Sequence, residues 1–233
     1  MDNRAVMVGD AAHHLGRVLR AERGQLYELS DGSRICLARI EEVKRDRIEF
    51  SLVEELPSPK LTLQTTLLLS VVKFDAFESA LEKATELGVG TIVPLAAARS
   101  EKALLAAAPK RAERWKKILL EASQQSRRLG IPALAPVVKP EAAFSSRPEG
   151  LRVLLSERSE APPLRSVLKG HSPASSPVIS VLAIGPEGGW TEAEFECAQS
   201  HGFREASLGR LILRTETAVV AALASLNYAL GMD

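Results

Sequence analysis

The chain has 233 residues, 45% of them hydrophobic and 25% charged, with a formal net charge of +1. That balance excludes disordered, fibrous and collagen-like chains, and the length suits one medium domain plus a small one. Two cysteines, Cys36 and Cys197, stand far apart without a CxxC partner, which argues against a disulfide framework or a zinc site and for a reducing, cytoplasmic setting.

The first ten residues are charged and lack an apolar export core, and the longest apolar run, 218–226, is too short to span a bilayer. No membrane or secretion signal is therefore read. In chain order, 25–29 reads as a strand, Asp31-Gly32 as a turn, and 34–40 and 47–53 as short alternating strands, giving a small β domain with one early helix. Pro57-Ser58-Pro59 then breaks the pattern, because proline cannot continue a central strand, and separates a domain at 1–57 from a second at 60–233.

Beyond the break, strands alternate with helices, which predicts an α/β layer with a largely parallel sheet. The predicted elements begin with a buried strand at 67–72 and a helix at 75–87 that carries Phe77, Leu81 and Ala84 on one face and Gly88 as its C-cap. A strand at 91–95 and a long helix at 109–128 follow, the helix placing Ala112, Trp115, Leu119 and Ala122 toward the core. Short apolar strands at 151–155, 178–184 and 203–208 complete the sheet; 172–177 is a low-complexity loop.

Charge is unevenly spread along the chain. Nine Lys or Arg against three Glu fall in 99–128, whereas 181–233 holds three Arg against six Glu and Asp233. A basic middle suits a phosphate-rich partner and an acidic end a cationic ligand, with a solvated helix face as the plainer reading of both.

Two stretches carry chemistry. In Gly185-Pro186-Glu187-Gly188-Gly189, three glycines in five residues follow a buried strand, so the backbone can turn sharply and approach a ligand closely. Next come Thr191 and Glu194 at capping-box spacing, with Trp190 and Phe195 at the positions of a hydrophobic staple. The loop has neither a GxGxxG fingerprint nor a P-loop lysine, and Glu187 repels anions. A neutral or cationic ligand fits better, such as the sulfonium of S-adenosylmethionine; a tight turn with no ligand is the competing reading. The second stretch, 208–218, joins a strand to a helix that is apolar nearly all round and must be covered by a core or a second subunit. Arg214 and Glu216 sit at its entrance, where Thr215 is expected to cap it and an ordering ion pair is the alternative role.

These two runs, Ile184 through Gly189 and Leu208 through Ala218, resemble the signature motifs of the RsmE family within the SPOUT superfamily. The runs Glu82-Lys83-Ala84-Thr85-Glu86-Leu87-Gly88-Val89, Ile92-Val93-Pro94 with Arg99-Ser100, and 113–126 match the family pattern in the same order. The resemblance implies methylation of uridine N3 in small-subunit (16S) ribosomal RNA, with S-adenosylmethionine as cofactor and no metal. It also implies a homodimer and a deep C-terminal trefoil knot. Cofactor contacts are carried over to Leu155, Ile184, Gly185, Pro186, Glu187, Gly188, Gly189, Leu208, Gly209 and Leu213.

Arg214 is the first candidate for stabilising a uridine anion, and Glu216, Glu86 and Glu187 are alternatives for the base. Lys83 and Glu86 could instead form a surface pair. The N-terminal domain resembles the family's PUA-like RNA-binding barrel, although the chain opens about one strand short of that pattern. On a helix, His13, Arg17 and Arg20 would face RNA while Leu15, Val18 and Leu19 face the barrel. Lys83, Arg99 and Arg127 complete the expected RNA contacts. Phe74 stands where the family has glycine after Lys73, and Lys102 follows Arg99 by three residues rather than four. Two rival readings stay open: a noncatalytic RNA-binding or ribosome-assembly factor, and a ribose methyltransferase.

Overall fold

The computed structural model describes residues 3–57, 62–146, 150–169 and 177–231. Most of the expected loop at 172–177 and part of the Pro57-Ser58-Pro59 break lie outside the described residues. The chain divides into two compact units, Met1–Lys60 and Leu61–Asp233.

The first unit is a four-stranded antiparallel sheet of β1 (Arg4–Val8), β2 (Leu26–Ser30), β3 (Ile35–Val43) and β4 (Arg47–Leu56), in the order β1-β4-β3-β2. Ala38, Ile40, Ile48 and Phe50 alternate onto one face and pack with Ala12, Leu15 and Ala21. Register shifts at Leu37/Ala38 and Ile40/Glu42 bend the β3–β4 pair. Among the described residues β1 and β2 remain edges, so the PUA-like barrel, whose completeness the sequence left open, is an open sheet here. Closure needs enough strands, tilted and staggered, to bring the two edges together.

The early helix also departs from expectation. The short α1 (Asp10–His13) widens into a π turn at His14–Val18, with the Leu19 N–H reaching the His14 carbonyl at 3.1 Å. The wider winding breaks the spacing that groups residues three and four apart. Leu15 is buried as expected, but Val18 is 61% and Leu19 58% exposed, so the proposed apolar face is not formed. His13, Arg17 and Arg20 are all exposed, and Arg20 has φ +53°.

The second unit carries a six-stranded, all-parallel sheet. Its strands are β5 (Leu63–Ser70), β6 (Thr91–Leu95), β7 (Ala133–Leu134), β8 (Leu151–Leu155), β9 (Val178–Ile184) and β10 (Arg204–Ala206), in the order β10-β8-β9-β5-β6-β7. Against one face lie α2 (Phe74–Glu86), α3 (Lys102–Gln125), α5 (Leu164–Lys169) and α7 (Thr215–Leu230). The other face is covered by α4 (Pro140–Ser145) and α6 (Glu192–Ser200).

In α2, Phe77, Leu81 and Ala84 are fully buried, and Gly88 ends the helix at φ +88° with Val89 N–H reaching the Ala84 carbonyl at 3.1 Å. That is the predicted C-cap, built as a Schellman closure. The long helix starts seven residues before Pro109, where the sequence reading began it. Ala103 through Ala108 are strong helix formers, and Leu104 and Leu105 pack on the core, which outweighs one proline's lost N–H.

One topological feature positions the site. The chain leaves β8 for α5 on one face, and leaves β9 for α6 on the other before stepping back across β8 to β10. Where successive connections diverge to opposite faces, a crevice opens at the C-terminal edge of a parallel sheet.

Candidate active site

The loops leaving β8, β9 and β10 share that edge. The glycine loop is closed by a turn in which the Gly189 N–H donates to the Pro186 carbonyl at 2.8 Å, with Gly189 at φ +69°. Any side chain at 189 would be strained in that conformation. At Gly185 the constraint is space, because a Cβ would stand 3.0 Å from the Trp190 indole. The buried indole donates from Nε1 to the Leu155 carbonyl at 3.0 Å, tying the end of β8 to the loop after β9. Leu155, Ile184 and Pro186 are buried, whereas Glu187 and Gly188 are exposed.

The segment leaving β6 braces the same loop. Arg99 Nη1 donates to the carbonyls of Gly188 at 2.8 Å and Trp190 at 3.1 Å. Glu194, only 3% exposed, accepts through Oε1 from the Ala98 N–H at 2.8 Å. Through Oε2 it accepts from the Thr191 N–H and hydroxyl, each at 2.8 Å, so the predicted capping box of α6 is formed and extended to a second strand exit. Trp190 and Phe195 join one apolar cluster, as the staple spacing suggested. Arg158, from the loop after β8, pairs with Glu192 and lies 3.7 Å over the Phe195 ring.

Among the described residues, the loop after β10 is fastened at its root. Ser207 N–H donates to the Pro162 carbonyl and Leu164 N–H to the Ser207 carbonyl, both at 2.8 Å. Beyond it, Leu208 and Leu213 are half-buried, Gly209 has φ +141°, and Arg210, Leu211 and Ile212 are exposed. The N-cap of α7 is Arg214, in extended backbone and with no side-chain cap hydrogen bond. Thr215, expected as the cap, is instead the first helical residue and is buried against the core. Arg214 is exposed and Glu216 half-buried in the first turn.

Comparison with known proteins gives this edge its context. Residues 59–227 match the RNA methyltransferase domain family. Ribosomal RNA small subunit methyltransferase E of Synechocystis is 35% identical over 219 residues, 92% of this chain and 70% of that protein. Its namesake from Aquifex aeolicus is 32% identical, covering 91% of this chain and 89% of that one. The chain belongs to the ribosomal RNA small subunit methyltransferase E family. A crystal structure of the Neisseria gonorrhoeae member bound to S-adenosyl methionine superposes with a TM-score of 0.85 at 32% identity, covering 97% of this chain and 91% of that one.

As a member of the methyltransferase E family, the chain gathers most of its expected cofactor residues on one edge, and the candidate base Glu86 lies at the opposite edge. The 13-residue α2 runs about 20 Å back from that edge. At its end the Gly90 N–H bonds the Thr65 carbonyl at 2.9 Å, beside the start of β5. Glu86 there pairs with Lys83 at 3.0 Å, and Lys83 also meets Glu82 at 2.9 Å. Hydrogen bonding to Glu82 and then Glu86 raises the lysine's pKa above its ordinary value. This is the surface pair that the sequence offered as the plainer alternative.

The expected RNA contacts are similarly dispersed. Arg127 follows α3 at that same far edge, where Arg128 donates to the Thr85 carbonyl at 2.7 Å, while Arg99 lies against the glycine loop. Phe74, the departure from the family's glycine, packs edge-on to Trp115 with the Arg111 guanidinium 4.7 Å from its ring centre. Sequence reasoning missed that Arg99, Trp190 and Glu194 act on one loop. The capping-box glutamate was the only available signal, and its second oxygen's partner lies 96 residues away.

Proposed function

We propose that this chain transfers a methyl group from S-adenosylmethionine to N3 of a uridine in small-subunit ribosomal RNA, as a homodimer with a C-terminal trefoil knot. The observation that carries the reading is that the braced glycine loop and the 207–214 loop leave the same edge of one parallel sheet, where its connections diverge to opposite faces. The groups there suit the donor: backbone edges held open by glycines, apolar Leu155, Ile184, Leu208 and Leu213, and the exposed carboxylate of Glu187 for a cation. Bound there, the donor supplies a sulfonium-activated methyl group.

Within this reading, Arg214 and the N-terminal N–H groups of α7 stabilise the negative charge that develops on the uracil ring. Glu216, in the same turn, is one candidate to accept the N3 proton, with Glu187 the alternative from the glycine loop. The step back from β9 across β8 to β10 supports the knot. Support for the dimer comes from α7 and the loop before it, where Leu211, Ile212, Val220 and Tyr228 are 82%, 77%, 38% and 94% exposed. We read the first unit as a PUA-like RNA-binding module that presents His13, Arg17 and Arg20, with Lys83 and Arg127 as further contacts to phosphate.

The test is incubation with undermodified small ribosomal subunits and labelled donor, followed by nucleoside mass analysis. N3-methyluridine is the expected product. A sugar-methylated nucleoside would favour the ribose methyltransferase reading. Salt-sensitive RNA binding without donor binding would favour a noncatalytic assembly factor.

A further inference from the structure

We propose that Arg99 is a positioning residue of the donor site rather than a contact to RNA; the proposal rests on the donor reading above. Three observations converge on it. One guanidinium nitrogen holds two carbonyls of the glycine loop, those of Gly188 and Trp190, at 2.8 and 3.1 Å. With those carbonyls turned to the arginine, the orientation of the peptide units that follow Gly188 and Trp190 is set by a side chain from a different strand exit. A charged donor makes stronger hydrogen bonds than a neutral one, so the grip is firmer than a loop's own turn would supply.

The second observation explains a glycine. Gly188 is absent from the residues with positive φ, so backbone freedom is not why it is glycine. A Cβ at 188 would instead stand 3.3 Å from Arg99 Cβ and 3.5 Å from its Cδ. The third is the anchoring of the arginine itself: the adjacent Ala98 N–H is held at 2.8 Å by the buried carboxylate of Glu194, which also caps α6. Arg99 therefore reaches the loop from a backbone that the same loop's helix fixes in place. Through this clamp, the exit of β6 controls the shape of the donor cradle after β9.

The experiment is calorimetric titration of the full chain with S-adenosylhomocysteine, alongside KM for small ribosomal subunits, in a double-mutant cycle of Arg99→Ala and Gly188→Ala. Arg99→Ala is expected to raise the Kd roughly tenfold while KM for subunits stays within about twofold. Gly188→Ala, which keeps every hydrogen-bonding group but crowds the arginine stem, is expected to weaken binding in the wild-type background. In the Arg99→Ala background, where both hydrogen bonds and the Cδ contact are gone and only the Cβ contact remains, it should add less than in the wild-type background. Because it retains the arginine, this variant carries the test even where Arg99→Ala folds poorly.

The proposal is overturned where Arg99→Ala leaves the Kd unchanged and raises KM for subunits with a shallower salt dependence, the signature of a lost phosphate contact. Additive effects of the two substitutions would overturn it as well. A wild-type chain that binds no S-adenosylhomocysteine would overturn the donor reading itself, a result distinct from either.

Discussion

The loops after β9 and β10 leave the same edge of the same sheet and are built in opposite ways. The first is fixed on three sides: Trp190 reaches Leu155, Arg99 holds two of its carbonyls, and Glu194 ties its helix to Ala98. The second is fastened at Ser207 and then runs exposed, with Leu211 and Ile212 projecting at 82% and 77% accessibility before α7 begins. A wall that is rigid before the ligand arrives can set which ligand fits, since little ordering cost remains. A wall that is open is shaped by what covers it. Under the proposed function, the first loop takes the larger share of donor recognition, and the second supplies chemistry and assembly beside the donor walls Leu208 and Leu213.

The sharpest way to break this division is Arg214→Ala. If the second loop supplies the chemistry, kcat falls about 10²- to 10³-fold while the donor Kd stays within about twofold. Unfolding stability should move by no more than about 0.5 kcal/mol, because Arg214 is exposed. A rise in Kd matching the loss of rate would place Arg214 among the donor's contacts instead. Recognition would then extend through the second loop as far as Arg214.

Glu194→Ala tests the rigid wall. The substitution removes the capping box and deprives the N–H groups of Ala98 and Thr191 of the acceptor supplied by a carboxylate only 3% exposed. A loss of about 2–4 kcal/mol in urea unfolding is expected. Donor affinity should weaken with it. A loss below about 1 kcal/mol would mean that water replaces the carboxylate easily and that the loop is not held by it.

The contrast between the loops also explains what the sequence could and could not convey. Local signals were legible: Thr191 and Glu194 gave the start of α6, Gly88 the end of α2, and the apolar runs gave β8 and β9 at their observed bounds. Each depends on neighbours within a few residues, which is where propensity and capping act. The placement of Glu86 was not legible, because it depends on which edge of the sheet a helix's last turn reaches. The open sheet of the first unit and the π turn at His14–Val18 likewise follow from long-range closure and local winding that spacing alone does not encode. Pro109 misled for a related reason: a good N1 residue was tolerated inside a helix made strong by alanine and leucine.

A smaller effect is expected from replacing Leu211 and Ile212 together by serine. Each is already exposed in the single chain, so its stability should change by less than about 0.5 kcal/mol. Sedimentation equilibrium should nevertheless show a weaker dimer if a second copy covers these side chains. An unchanged dimer, or a chain that is monomeric to begin with, would separate the open loop from assembly.

The smallest effect comes from the far edge of the sheet and sets the background for the others. Arg127 occupies the left-handed position after α3 at φ +53°, with its N–H on the Gln124 carbonyl at 3.2 Å and the Arg128 N–H on the Ser123 carbonyl at 2.9 Å. Glycine ordinarily takes that position because a Cβ is disfavoured there. Arg127→Gly should therefore stabilise the chain by about 0.5–1 kcal/mol in urea unfolding, after the flexibility it adds to the unfolded state is counted. The donor Kd should not move, since this turn and the glycine loop lie at opposite ends of the strands. If subunit KM rises as stability increases, the strained conformation is retained for the arginine's contact with RNA; if KM is also unchanged, Arg127 has no place among the RNA contacts.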